Sequence, residues 1–166
     1  MSRTLLTAAT LASLATLPMP AAAEDLASQI VGVWKFVSVT VTEVASGKVT
    51  KPYGETPKGH LLYTKGGRLM FVLFKDERAK PAGAAVTDAE AVELFRTLAA
   101  GSGTYRIEGK TMFSTFETSW NQTWTGTTQK RNVEIVGNRL IATSDPVKAT
   151  ATGLDIVFTN VLERIE

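Results

Sequence analysis

The chain has no cysteine and a single histidine in 166 residues. Without cysteine, thiol catalysis, cysteine-ligated iron–sulfur clusters and cysteine zinc sites are excluded. Disulfides are excluded too, so stability must come from packing and hydrogen bonds. One histidine rules out a histidine-rich metal centre, and no Asp/Glu cluster has ligand spacing. Charge of one sign is also missing: 18 Lys and Arg stand against 16 Asp and Glu, with no basic block. That balance carries no nucleic-acid footprint. Gly101-Ser102-Gly103 lacks the pattern of a nucleophile elbow. Lys65-Gly66-Gly67 lies in a hairpin rather than before a helix, so it cradles no phosphate. No motif calls for a cofactor.

One apolar run is present, and it is at the start. Arg3 gives a positive head, Leu5 to Leu17 an apolar stretch too short to span a bilayer, and Ala21-Ala22-Ala23 a small-residue cleavage pattern. Residues 1–23 therefore read as a cleaved signal peptide, with a mature domain at 24–166 in the periplasm or outside the cell. No later apolar span follows. The mature chain of about 143 residues suits one domain with one core.

From Gly32 onward the writing is period-two. Val33, Lys35, Val37, Val39 and Val41 fall on one face; Trp34, Phe36, Ser38, Thr40 and Thr42 fall on the other. Such alternation, rich in Val, Thr and aromatics, signals a β-strand. His60–Tyr63 and Arg68–Phe74 form a hairpin across Lys65-Gly66-Gly67 and are apolar on both faces. Both faces should then be covered, the outer one by a helix or a second subunit. Thr87-Asp88-Ala89-Glu90 is a capping box opening a helix near 87–100, with Gly101 as a stop. Strands resume at Gly103–Glu108, Thr111–Thr118, Thr127–Val136, Arg139–Ser144 and Leu154–Ile165, with Trp120 and Trp124 in a loop between them. The expectation is an all-β, antiparallel up-and-down barrel of 8–10 strands with one short α-helix.

Gly32-Val33-Trp34 resembles the G-x-W motif that opens lipocalin-type barrels, and Arg164 stands where such barrels set an arginine across that tryptophan. The ordered series Pro52-Tyr53-Gly54, Pro57-Lys58-Gly59, Leu62-Tyr63, Gly66-Gly67-Arg68, Gly103-Thr104-Tyr105, Trp124-Thr125-Gly126 and Arg131 extends the match. Over nearly the whole mature chain the sequence is similar to the bacterial and fungal lipocalin-like domain family. The resemblance implies a barrel that binds a small hydrophobic or amphipathic molecule. It also leaves room for a cofactor-independent cyclase, isomerase or lyase, or for a filled structural barrel that forms a homodimer.

Strand parity and the resemblance together nominate Trp34, Phe36, Ser38, His60, Tyr63, Phe71, Tyr105, Arg131, Phe158 and Asn160 as ligand-binding residues. Trp34 and Arg164 are expected to close one barrel end through a cation–π contact. His60 reads either as a general base or as an ordinary residue at a strand start. Arg131 shares a face with Gln129, Val133 and Ile135, so it points inward if they do. A buried guanidinium needs a partner, either a ligand carboxylate or a protein carboxylate such as Glu117.

Overall fold

In the computed structural model, residues 25–149 and 152–166 are described. The expected signal peptide, residues 1–23, lies outside the described residues. Among these residues a short helix, α1 (Leu26–Gln29), leads into ten strands, one further α-helix and a 3-10 turn at Gln122–Trp124. The strands are β1 (Gly32–Glu43), β2 (Val49–Thr50), β3 (Lys58–Tyr63), β4 (Arg68–Phe74) and β5 (Leu98–Glu108). They continue with β6 (Thr111–Ser119), β7 (Thr128–Val136), β8 (Arg139–Ser144), β9 (Val147–Lys148) and β10 (Asp155–Arg164). Helix α2 (Asp88–Arg96) lies between β4 and β5. Each long strand pairs antiparallel with the next, and β1 pairs with β10 to close a barrel of eight strands. The two-residue strands β2 and β9 extend the edges of β1 and β10. Closure leaves the barrel wall without an unpaired edge.

One end is sealed. Trp34 is fully buried, donates from Nε1 to Ile30 O at 2.8 Å, and carries the Arg164 guanidinium 4.1 Å above its ring. Arg164 also donates to Val31 O at 2.8 Å and to Gln29 O, tying the last strand to α1. The expected closure is present. Its glycine is obligatory: Gly32 has φ +139°, and a Cβ there would sit 2.3 Å from Glu166 O. Ile30, Leu140 and Leu162 complete this apolar plug, each without exposed surface.

Two expectations fail in instructive ways. A bulge between Phe36 and Ser38 shifts the β1–β10 register by one residue. Trp34 and Phe36 point inward as the alternation predicts, but beyond the bulge Val39 is the buried residue. Ser38 and Thr40 are therefore on the outer face, since one extra residue reverses every side chain after it. The helix, too, is shorter than predicted. Its capping box forms, with Thr87 and Glu90 bonding each other's backbone, but α2 stops at Arg96. Leu98 and Ala99 pair instead with Phe74 and Leu73, because the edge of β4 needs a partner there.

Helix α2 does not cover the outer face of β3 and β4. None of its residues is buried, and Val92 and Phe95 are about half exposed. It is pinned near the barrel rim by Arg78, which donates to Leu94 O at 3.0 Å and to Thr97 Oγ1 at 3.1 Å while stacking on Phe74.

Candidate functional site

Above the sealed plug the barrel is open inside. A cavity of about 770 Å³ runs from the middle of the barrel to the end opposite Trp34. Its wall is mainly apolar, with Phe36, Val39, Leu61, Leu73, Met112 and Phe158 contributed by five strands. Small inward residues make the room. Ala99, Ala142, Ser114 and Ser144 line it, and Gly101 stands where a Cβ would meet the Phe71 and Phe116 rings at 3.0 and 3.1 Å. Large side chains at these positions would fill a barrel of this strand number.

The mouth is aromatic. Phe71 meets Phe116 at 5.9 Å, Phe116 meets Trp124 at 5.7 Å, and Trp124 meets Trp120 edge-on at 4.8 Å between ring centres. Trp120 in turn faces Phe95 of α2 at 6.4 Å. Across the opening Tyr53 lines the cavity from the loop after β2. That loop is anchored on Asp76, which donates its N–H to Tyr53 O at 3.1 Å and accepts from Thr56 N at 3.1 Å.

Polar groups inside are few. Arg131 lines the cavity from β7, where Val133 is buried on the same face. Among the described residues its buried Nη1 has no hydrogen-bond partner, and its Nη2 makes only a long 3.3 Å bond to Gln129 Oε1. Tyr63, almost fully buried, lies close enough for the two groups to influence each other's ionisation. Burial pushes the Tyr63 phenol well above its usual range against the pull of the Arg131 charge, so it stays protonated. Burial also lowers the guanidinium from its usual value, with Tyr63 opposing. Glu117 is not the partner of Arg131. Its carboxylate takes two bonds from Arg68 Nη1, at 2.7 and 2.8 Å, on the outer surface.

Of the nominated residues, Phe36, Tyr63, Phe71, Arg131, Phe158 and Asn160 come together on the cavity wall. Four do not. Trp34 has no exposed surface and belongs to the plug beneath the cavity. Tyr105 donates its hydroxyl to Thr64 O at 2.9 Å and packs edge-on against Tyr63 toward the sealed end. Ser38 is turned outward by the bulge. His60 is exposed, because its neighbours Leu61 and Tyr63 take the inward positions of β3. Its general-base reading has no enclosed site to act in. His60 instead borders an open groove of about 550 Å³ outside the barrel, with Leu62, Met70, Val72 and Trp120. The small inward residues went unnominated, although the run Ala99, Gly101, Gly103 on one strand face was the signal for them.

Among the described residues no group of three or more His, Asp or Glu could hold a metal, and no helix is long and apolar enough to cross a membrane. A family model for the lipocalin-like domain matches residues 31–161, and the chain belongs to that family. No curated protein matches it.

Proposed function

We propose that the protein is an exported binding barrel that holds one small hydrophobic or amphipathic molecule, with carboxylate-bearing compounds within its range. The observation that carries this reading is the roughly 770 Å³ of space left inside a barrel whose other end is tightly plugged. Sites for small ligands are concave, mostly apolar and about 300–1,000 Å³, with a few placed polar groups. Burial of apolar ligand surface would contribute about 25 cal/mol per Å², offset by the cost of ordering ligand and wall. The export element rests on Arg3, the Leu5–Leu17 run and Ala21–Ala23. Protein recovered from its host should then begin at Glu24; an intact Met1 would refute export by cleavage.

Trp120 and Trp124 line the mouth, so occupancy should alter their emission. Titration with a panel of fatty acids, fatty alcohols and fused-ring aromatics should give a saturable change for at least one class, with a stoichiometry of one. A linear, non-saturating response to every member of the panel would contradict the proposal.

A further inference from the structure

The interior contains a cation that no carboxylate among the described residues balances. Arg131 stays charged even when buried, because guanidinium holds its proton more tightly than any other side chain. Yet among the described residues no carboxylate bonds to it. Glu117 is engaged by Arg68 outside the barrel, and Asp145 at the rim is held by Lys130 at 3.5 Å and by Asn132 at 3.3 Å. Glu134, on the same strand, is exposed on the opposite face. Arg131 as a whole is partly exposed, but its Nη1 is buried, and a charge buried without a partner is costly enough that an apolar side chain of similar volume is often neutral or stabilising in its place. The fold does not need this arginine for its plug, which is built from Trp34, Ile30, Leu140, Leu162 and Arg164.

Resting on the binding-barrel reading, we propose that the ligand is a monoanion with a carboxylate head. It enters head-first, so that Arg131 grips the head with Tyr63 as a second donor and the apolar tail lies toward Trp120 and Trp124. Three features support this. Among the described residues Nη1 of Arg131 is a buried donor without an acceptor, and Nη2 has only the long bond to Gln129 to give up. The Tyr63 hydroxyl makes no hydrogen bond among the described residues, and its proton is kept in place by burial. A planar guanidinium also matches a carboxylate with two parallel bonds, while the neutral phenol adds a third without adding charge. Lys130 and Lys148, which also line the cavity, are already paired with Asp145 and Asp155, so the unpaired charge of Arg131 fits a single negative one. A dianionic phosphate would bring a second buried charge with no partner.

On this reading the ligand supplies a counter-ion that no carboxylate among the described residues gives. Dodecanoic acid and dodecanol, identical but for the head, test this at pH 8, where the acid is ionised. Wild type should bind the acid about ten- to a hundredfold more tightly than the alcohol. Arg131→Met should bind the two alike, the ratio of acid to alcohol affinity falling to about one. In urea without ligand, Arg131→Met should unfold at a midpoint equal to or above that of wild type; with saturating acid the order should reverse. Tyr63→Phe should lower the ratio of acid to alcohol affinity by a smaller factor, which keeps the test open should the arginine variant fail to fold. Equal binding of acid and alcohol by wild type would overturn the head-first anchor and leave the binding barrel standing. Binding of neither would remove the barrel reading beneath it. An empty Arg131→Met protein clearly less stable than wild type would make the arginine structural, and the proposal would fall.

Discussion

Trp34→Ala is expected to lower the stability of the fold by about 3–5 kcal/mol, the usual cost of truncating a fully buried large aromatic. The indole fills the sealed end without exposed surface, and its Nε1 bonds to Ile30 O. Truncation leaves a void among side chains that are themselves buried and held by neighbouring strands, so the site has little freedom to collapse. The Ile30 carbonyl also loses its indole donor. Arg164, stacked 4.1 Å above the ring, loses its aromatic partner but keeps its bonds to Gln29 O and Val31 O. A double-mutant cycle with Arg164→Ala should therefore show coupling of about 0.5–2 kcal/mol. Urea melts followed by far-UV circular dichroism would measure both quantities. Coincident midpoints for Trp34→Ala and wild type would mean that the indole does not anchor the barrel. Strict additivity in the cycle would mean that the stacking contributes nothing.

The second large effect concerns binding alone. Asn160→Phe should weaken binding of an apolar ligand by about a hundredfold or more, equivalent to about 2.7 kcal/mol, without loss of stability. Asn160 lies in the middle of the barrel wall, lines the cavity and makes no side-chain hydrogen bond among the described residues. A phenyl ring there would occupy space that the ligand needs, and it would bury apolar surface at no cost in broken bonds. Asn160→Ala keeps the room and is the matched control: its affinity should stay within a few-fold of wild type. If Asn160→Phe binds as tightly as Asn160→Ala, the ligand does not occupy the barrel.

Much of this architecture was legible in the residues. Gly32-Val33-Trp34, the paired arginine at 164, the glycine turns at 67, 109 and 137 and the capping box at Thr87 each state a local requirement that the fold meets. Arg131 was placed correctly because β7 has no bulge, so parity carries from Val133 to the arginine without error. Ser38 was misplaced because parity fails at a bulge, and nothing in Phe36-Val37-Ser38 distinguishes the extra residue. The end of α2 was misjudged because helix propensity at Thr97–Ala100 lost to the pairing of Leu98 and Ala99 with β4. Whether the barrel was open or filled depends on side-chain volumes summed across strands far apart in sequence. Ala99, Ser114, Ala142 and Ser144 reveal the space only when the register sets them around one cavity.

Two methionines give the most direct test of where a ligand sits. Met112 is buried and lines the interior, whereas Met70 is 59% exposed on the outer groove. With methionine methyl groups labelled by carbon-13, dodecanoic acid can be titrated into wild type and Asn160→Phe while both resonances are followed. An occupied barrel requires the Met112 methyl to shift saturably in wild type and to stay still in Asn160→Phe, with Met70 unmoved in both. Movement of Met70 alone would put the ligand on the outside of the barrel and contradict the account.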